Sequence, residues 1–347
     1  MTKPLIYDLS TAQLSQVLQE LDQPAFRLKQ LHQGLYNKLY ARFEEFDAIP
    51  KALRSALDER FTIEPLSVAK TLRSRDGNTE KKLFSLQDGN LIETVLMRFE
   101  RRNTLCVSTQ VGCPMGCVFC ATGQMGFVRN LSAGEILGQI IHFQKVLRAG
   151  DEALRNVVYM GMGEPFLNYP NVSQSLDYLS DPERLGLGAR HITVSTVGVI
   201  PRIAQFGEQH PQVNLAISLH APTDELRTRL LPANRQYPLE KLMQACRDYI
   251  AQTNRKLTFE YALIDGLNDS PEHARQFAQL VRGMLCIVNL ITLNPSKKYA
   301  TPGSPPARVQ AFRDVLVEHG VRVTLRLRRG LEINAGCGQL ASAENPN

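Results

Sequence analysis

Hydrophobic residues recur at helical spacing through the first sixty positions of the chain. Leucines and a valine repeat every three or four positions across residues 14–21, and Ser10 followed by Gln13 is the pattern of a capping box at the start of that helix. A second helical pattern covers residues 26–35. Together they predict a small helical module at the N-terminal end.

The hydrophobic period changes from about residue 83 onward. Residues 91–99 and 104–111 show the composition and spacing of strands, and residues 101–103 predict a turn between them. These strands are predicted to link the helical module to the remainder of the chain.

Strand and helix patterns alternate after Ser132. Repeated β-α units predict the α/β class, with a parallel sheet and helices outside it. In a β/α barrel the chemistry gathers in the loops at the C-terminal ends of the strands. Strands are predicted at residues 156–160, 191–197, 213–220, 257–264, 286–293 and 321–327, and helices at residues 133–147, 239–250, 273–281 and 308–319.

The length of 347 residues suits one α/β barrel with an accessory module. The chain contains no apolar stretch of the roughly 18 to 20 residues that a membrane span needs, and its start lacks the features of a secretory signal. We therefore expect a cytoplasmic protein without a membrane partner. The net charge of +6 permits a polyanionic partner without requiring one. The predicted division is a helical accessory domain at 1–62, a linker with β-strands at 63–103, the barrel core with the C-terminal cysteine segment at 104–340, and a tail at 341–347.

Cys113, Cys117 and Cys120 form a C-x3-C-x2-C run in a loop between a predicted strand and a helix. In a reducing cytosol such spacing favours metal ligands over disulfides. Structural zinc normally takes four protein ligands, and no fourth Cys or His lies within a few residues of the run. A [4Fe-4S] cluster on three thiolates leaves one iron open for the amino and carboxylate groups of S-adenosylmethionine (SAM). The run resembles the signature of the radical SAM superfamily.

A glycine-rich motif with a carboxylate follows the predicted strand at residues 156–160. In this motif, residues 161–165, the glycines let the backbone approach a ligand, and Glu164 can accept hydrogen bonds from the ammonium group of SAM. Further polar groups stand at the ends of successive strands, where they would surround one mouth of the barrel. The predicted cofactor-binding residues are Gly163, Glu164, Ser195, Ser218, Leu219, His220 and Asn294.

The remaining cysteines divide into two kinds. Cys246 and Cys286 fall in a predicted helix and at a predicted strand start, and we interpret them as small buried side chains. Cys337 follows the last predicted strand between two glycines, which expose its sulfur as a reactive thiol requires. Cys106 precedes the cysteine run on a strand face with polar neighbours, a row that could line a site.

Several motifs together resemble the RlmN-type adenine-2 RNA methyltransferases, whose close relatives are the Cfr-type adenine-8 enzymes. The resemblance covers nearly the whole chain and implies a partial (β/α) barrel behind an N-terminal helical accessory domain. It also implies a monomer that takes electrons from a flavodoxin or ferredoxin and acts on 23S rRNA before full ribosome assembly, and on tRNA next to the anticodon. The motifs are residues 105–113, 126–131, 161–165, 218–220 and 334–340.

The resemblance implies a radical route, because carbon 2 of adenine lies between two ring nitrogens and is too electron-poor to attack a methyl group. One SAM methylates Cys337, and a second is cleaved to a 5′-deoxyadenosyl radical that takes hydrogen from the methylated sulfur group. The resulting carbon radical adds to adenine, an electron returns toward the cluster, and the RNA is left bound to Cys337. Glu93 then accepts a proton, and Cys106 attacks the Cys337 sulfur, which releases the RNA and forms a transient disulfide.

An alternating segment at residues 321–328 places Arg322, Arg326 and Arg328 on one face of a strand, directly before Cys337. Such a row is commonly a solvated edge. We interpret it here as a surface that holds RNA phosphates near the reacting base. Lys81, Lys82, Arg101 and Arg102 are expected to add positive charge.

Three alternatives remain open at this point. Cfr-type methylation of carbon 8 would use the same cysteines. A radical SAM enzyme acting on a small molecule or peptide would have no role for both Cys106 and Cys337. A zinc-dependent RNA-binding protein without catalysis would be colourless and free of iron.

Overall fold

The N-terminal end folds as helices around an apolar core, as predicted. Ser10 and Gln13 form the predicted capping box, in which each side chain accepts a hydrogen bond from the backbone N–H of the other. The second predicted helix ends early and continues as π-helical turns at Gln33–Lys38. The helices are α1 (Thr11–Glu20), α2 (Arg27–His32) and α3 (Lys51–Arg60). These bounds come from a computed structural model that describes residues 3–296, 299–326 and 328–341.

Four antiparallel strands follow the helices: β1 (Leu66–Arg73), β2 (Thr79–Leu86), β3 (Leu91–Phe99) and β4 (Arg102–Cys106). The strand predicted at 91–99 is confirmed. The one predicted at 104–111 is wrong in extent, because β4 ends at Cys106 and a separate strand, β5 (Gln110–Gly112), follows it. The turn between β3 and β4 lies at residues 100–101 rather than 101–103.

A run of parallel strands forms the larger part of the sheet. Its order is β1-β2-β3-β4-β7-β8-β9-β10-β11-β12, with every pair from β4 to β12 parallel. Among the described residues β12 does not pair with β1, so the sheet is open there and the predicted α/β class with a partial barrel is confirmed. β5 pairs with β6 (Phe127–Asn130), and the other strands are β7 (Leu154–Tyr159), β8 (Ile192–Thr196), β9 (Asn214–Ser218), β10 (Leu257–Leu263), β11 (Cys286–Thr292) and β12 (Val323–Arg326).

Helices connect these strands, and the four that were predicted after residue 132 are present. α5 begins with a second capping box, in which Ser132 and Glu135 hydrogen-bond each other's backbone N–H. Within the described part of the chain, no helix is both long and apolar enough to cross a bilayer. The helices are α4 (Ala121–Gln124), α5 (Ala133–Ala149), α6 (Tyr169–Ser180), α7 (Ile200–Gln209), α8 (Asp224–Leu230), α9 (Leu239–Thr253), α10 (Pro271–Leu280) and α11 (Pro306–Glu318).

The N-terminal helices dock on the outside of the barrel through specific polar contacts. Asp8 accepts a hydrogen bond of 2.6 Å from the backbone N–H of Gly134 at the start of α5. The Arg184 guanidinium lies over the Tyr178 ring, 3.5 Å from its centre, and hydrogen-bonds the hydroxyl of Thr11 in α1. Because these groups are partly or fully buried, the contacts hold the two parts of the chain together.

Strand alternation directs polar side chains into the barrel mouth. In β8, Ile192, Val194 and Thr196 are buried, whereas Thr193 and Ser195 point to the other face. The C-terminal ends of β4 and of β7 to β12 lie at one edge of the sheet, because these strands are parallel. The candidate site is built at this edge, as the β/α pattern predicts.

Candidate active site

The three cysteines of the C-x3-C-x2-C run line one open cavity of about 930 Å³. The loop leaves β5 through Gly112, whose φ of +74° lies in the left-handed region. A side chain at Gly112 would also collide with the backbone of Gly126. Burial raises the pKa of Cys113 to about 12, so the free thiol is protonated at neutral pH and metal binding must release its proton. We call this part of the cavity the cysteine-loop lobe; it is lined by Cys113, Cys117, Cys120, Glu164, Ser195 and Ser218.

The donor set suits a cluster rather than a single ion. Among the described residues, no three His, Cys, Asp or Glu side chains are grouped tightly enough to hold one metal ion. A [4Fe-4S] cluster does not require such convergence, because each thiolate binds a different iron. The three thiols on a common cavity wall therefore fit the cluster by number and kind of donor.

Glu164 is held rigidly at the wall of the cysteine-loop lobe. One carboxylate oxygen accepts a hydrogen bond from the Phe166 N–H (3.0 Å) and the other from the Val197 N–H (2.9 Å). Burial raises the pKa of Glu164 to about 7, against the lowering effect of these bonds. Gly163 has φ +105° and no room for a side chain, because Gln110 packs against it. The glycine-rich motif thus aims a fixed acceptor at the cavity.

The other predicted cofactor-binding residues line the cysteine-loop lobe, except Leu219 and Asn294. The hydroxyls of Ser195 and Ser218 line the cysteine-loop lobe 3.4 Å apart. His220 also lines it, and its Nδ1 accepts a hydrogen bond from the Ala262 N–H. Burial lowers the pKa of His220 to about 3, so the ring is neutral. The Leu219 side chain is fully buried in the core and does not line the cavity.

A second lobe adjoins the first and contains Cys337. Cys106, at the end of β4, and Cys337, in the segment after β12, both line it. Cys337 is partly exposed and Cys106 is buried, and both are free thiols. Asn294 lines this lobe rather than the cysteine-loop lobe, and its buried Oδ1 has no hydrogen-bond partner among the described residues. We call this part the Cys337 lobe; it is lined by Val95, Cys106, Asn294, Arg326 and Cys337.

Four charged residues line the cavity without having been assigned to it from the sequence: Arg326, Arg328, Arg329 and Glu260. Arg326, the last residue of β12, lines both lobes, whereas the sequence suggested that it faces RNA phosphates. Glu260 in β10 lines the cysteine-loop lobe, and burial raises its pKa. Its Oε2 accepts a hydrogen bond of 2.8 Å from Asn289. The sequence signal that could have identified Glu260 is a carboxylate in a mostly apolar strand, because burying such a group is costly unless it has a role.

Glu93 lies outside both lobes, in a neighbouring recess of β2 and β3. Its carboxylate forms an ion pair of 2.8 Å with Lys81 and accepts a hydrogen bond of 3.0 Å from the Ala341 N–H. Burial raises its pKa, while the Lys81 charge lowers it. Glu93 nevertheless shares a sheet face with Val95, which pairs with Cys106. Glu93 therefore lies two residues along β3 from Val95, which lines the Cys337 lobe. The C-terminal segment contacts the Glu93 carboxylate through Ala341.

The basic residues expected at an RNA surface divide into two groups. Arg101 and Arg102 are exposed, as expected. Lys81 and Lys82 are buried: Lys81 binds Glu93, and Lys82 contacts Glu80 and, at 2.7 Å, His142. The expectation that these lysines add surface charge is therefore wrong, because each neutralises a buried partner.

The chain matches two family models. Residues 107–278 match the Radical SAM superfamily, and residues 6–63 match the Ribosomal RNA large subunit methyltransferase N-terminal domain.

Proteins of similar sequence cover almost the whole chain. A probable dual-specificity RNA methyltransferase RlmN of Geobacillus kaustophilus is 46% identical over 98% of this chain and 93% of its own length. Dual-specificity RNA methyltransferase RlmN 1 of Myxococcus xanthus is 47% identical over 98% of this chain and 94% of its own length. The crystal structure of a radical SAM methyltransferase from Sphaerobacter thermophilus superposes with a TM-score of 0.95, at 44% identity, over 97% of this chain and 99% of that one.

Proposed function

This chain belongs to the RlmN family of radical SAM RNA methyltransferases, and on that premise we propose that it methylates carbon 2 of an adenosine in 23S rRNA and of the adenosine next to the anticodon in tRNA. One observation carries the proposal. Two free cysteines outside the cysteine run, Cys106 and Cys337, line a single lobe that adjoins the three cysteines of the run. A methyl carrier and a resolving thiol need this arrangement, whereas radical chemistry on a small molecule needs neither.

The family uses a [4Fe-4S] cluster and SAM, and the residues of the cysteine-loop lobe fit both. We propose Cys113, Cys117 and Cys120 as the iron ligands and the polar groups of Glu164, Ser195, Ser218 and His220, with the backbone of Gly163, as contacts of SAM. Asn294 is proposed as a further contact that reaches SAM from the adjoining Cys337 lobe. When bound, the cluster and SAM supply the 5′-deoxyadenosyl radical that removes hydrogen from an S-methyl group, and two SAM are used per turnover. A flavodoxin or ferredoxin is the proposed electron donor.

Cys337 is the proposed methyl carrier. Its sulfur is partly exposed and lines both lobes, so it can meet a methyl donor in one and a base in the other. Gly336 has no space for a side chain because the Asn294 amide lies against it. The Gly338 carbonyl accepts a hydrogen bond of 2.7 Å from the Ala121 N–H, which ties the carrier segment to the helix after the cysteine run.

Cys106 is the proposed resolving thiol. In the covalent adduct the Cys337 sulfur is bonded to the methylene carbon on adenine. The Cys106 thiol loses its proton as its sulfur attacks the Cys337 sulfur, the S–S bond forms, the S–C bond breaks, and its electron pair stays on carbon, which takes up one proton to become the methyl group. Burial raises the pKa of Cys106 to about 12, and the nearby Arg326 charge lowers it. An external thiol must then reduce the disulfide before the next turnover.

Glu93 is the proposed base that removes the proton from the substituted carbon. Its two oxygens are engaged by Lys81 and by the Ala341 N–H in the structure, and it lies outside the Cys337 lobe. The proposal therefore requires the segment near Ala341 to move when RNA enters. Removal of that hydrogen bond leaves one carboxylate oxygen available while Lys81 holds the other.

Anaerobic turnover of the cluster-loaded enzyme with rRNA fragments and tRNA, followed by mass spectrometry of the nucleosides, tests the proposal. We expect 2-methyladenosine in both RNAs, with protein-free rRNA preferred over assembled ribosomes. Methylation at carbon 8 would contradict the carbon-2 assignment and support the Cfr-type route. Methylation of rRNA alone would overturn the tRNA part.

A further inference from the structure

Three arginines line the Cys337 lobe, and two of them are engaged by the protein. Arg328 donates to the carbonyls of Thr292 and Leu293. Arg329 donates to the Arg98 carbonyl and lies over the Phe99 ring, with 4.4 Å between guanidinium carbon and ring centre. Both side chains are held by backbone carbonyls, and Arg329 also by an aromatic face, so they act as structural supports of the lobe, although the buried Nε of Arg329 has no hydrogen-bond partner among the described residues.

Arg326 differs from both. Its one hydrogen-bond contact among the described residues is to the thioether sulfur of Met160, at 3.6 Å, and thioethers are weak acceptors. No carboxylate of the described residues lies within ion-pair distance of the Arg326 guanidinium. A guanidinium carries five N–H donors in a planar fork. Most of these donors have no hydrogen-bond partner among the described residues, and Arg326 lines both lobes, so the side chain can bind a planar acceptor there.

The chemistry of the lobe indicates what that acceptor is. Cys337 and Cys106 share the lobe with Arg326, so the carbon on which they act must come close to the guanidinium. In adenine, carbon 2 is bonded to N1 and N3, and each of these nitrogens has an in-plane lone pair. Carbon 8 lies between N7, which has such a lone pair, and N9, which bears the ribose and has none.

We propose that Arg326 donates a hydrogen bond to N1 or N3 of the target adenine and so presents carbon 2 to Cys337. The proposal rests on the function proposed above. When Cys106 breaks the S–C bond, the electron pair left on the methylene carbon is shared with the ring nitrogens beside carbon 2. A fixed cation at one of them stabilises that charge, and the same contact selects the edge of the base that is methylated.

The test is a matched set of substrates and variants. One RNA hairpin is made with adenosine, 1-deazaadenosine, 3-deazaadenosine or 7-deazaadenosine at the target position. Each is reacted in a single turnover with the wild-type enzyme, Arg326→Gln, Arg326→Lys and the control Arg190→Gln. Arg190 is exposed and directly precedes β8, so it lies at the edge of the sheet opposite the candidate site. Cluster absorbance, thermal melting and the S-methylated fraction of Cys337 show that each variant is folded and loaded.

With adenosine, Arg326→Gln should slow methylation about 10- to 100-fold, as the loss of a charged hydrogen bond does. The wild-type enzyme should slow similarly on either the 1-deaza or the 3-deaza substrate, and on that substrate Arg326→Gln should add no further loss. On the 7-deaza substrate the full effect of Arg326→Gln should remain. Arg326→Lys should retain part of the activity, and Arg190→Gln all of it.

An equal effect of Arg326→Gln on all four substrates would overturn the proposal, because it would show no contact with a ring nitrogen. Loss of the effect on the 7-deaza substrate would place the contact at N7 and also overturn it. Where a rate is too slow to measure, the same comparison is made on the equilibrium affinity for the RNA, and Arg326→Lys replaces any glutamine variant that does not fold. Failure of the proposed function is distinct, because the wild-type enzyme would then form no 2-methyladenosine.

Discussion

At the scale of single residues, the two cysteines of the Cys337 lobe differ in access to solvent. Cys337 is partly exposed, whereas Cys106 is 7% exposed and surrounded by the apolar core. A methyl donor therefore reaches Cys337 more readily, and Cys106 reacts only with a partner brought to it inside the lobe. This difference supports the order of roles proposed for them.

The resolving role gives the sharpest residue-scale prediction. Cys106→Ala should form the carbon–carbon bond but not break the Cys337–methylene bond, so the enzyme should remain covalently bound to its RNA. Denaturing electrophoresis should show this species, and digestion should leave a nucleotide on the Cys337 peptide. The double variant Cys106→Ala with Cys337→Ala should form none. Normal turnover by Cys106→Ala would assign Cys106 a structural role.

Substitution of a cysteine in the C-x3-C-x2-C run should cause loss of the cluster. Cys117→Ala removes a thiolate ligand, so the visible absorbance of the cluster and the cleavage of SAM should both disappear. Cys246→Ala is the matched control, because Cys246 is fully buried in α9 and away from the cavity. The control should keep its cluster. A Cys117→Ala protein with full absorbance would contradict the assignment of this ligand.

At the scale of elements, the segment after β12 links the carrier cysteine to the proposed base. Lys81 of β2 donates to the Asn334 carbonyl and pairs with Glu93 of β3, and the Ala341 N–H also binds Glu93. Cys337 lies within residues 334–341, and Glu93 is linked to both ends of this segment, through Lys81 to Asn334 and directly to Ala341.

The Lys81–Glu93 pair predicts a change in pH dependence. Glu93 must be ionised to accept a proton, so release of the RNA adduct should fall as pH drops through its pKa. That pKa is already raised by burial and is lowered by Lys81. Lys81→Met should move the midpoint of adduct release upward by about one to three pH units. Lys70→Met, which removes an exposed lysine from the same recess, should leave it in place; equal midpoints in all three proteins would rule Glu93 out as the base.

At the scale of the whole molecule, stability depends on the contact between the N-terminal helices and the barrel. Arg184 is 5% exposed, lies over Tyr178 and bonds Thr11. Arg184→Ala should lower the free energy of unfolding by about 2 kcal/mol, measured by denaturant titration, without change in cluster content. Arg190→Ala, at an exposed position, should change it by less than about 0.5 kcal/mol. Equal losses in the two variants would show that the Arg184 contact adds no stability.

Local sequence determined much of the architecture. Capping boxes at Ser10 and Ser132, and the alternation of strand and helix patterns, depend on neighbours within a few positions. The division of the chain at residues 62, 103 and 340 stays a prediction. β1 was not predicted, because most of its side chains are exposed and carry no hydrophobic period. Its pairing with β2 makes it a strand.

The candidate site shows the same limit. The sequence identified the cysteines, the glycine-rich motif and the polar strand ends, because residue type and spacing suffice for these. Only the tertiary structure directs the Arg326 side chain into the cavity. It also buries Lys81 against Glu93 and places Glu93 outside the Cys337 lobe. Those positions depend on β12 joining β11 and on the C-terminal segment crossing β2 and β3, where the two contacts span 253 and 248 residues of the chain. A charged side chain has the same local pattern whether it meets water, an ion-pair partner or a cavity, and long-range packing decides among them.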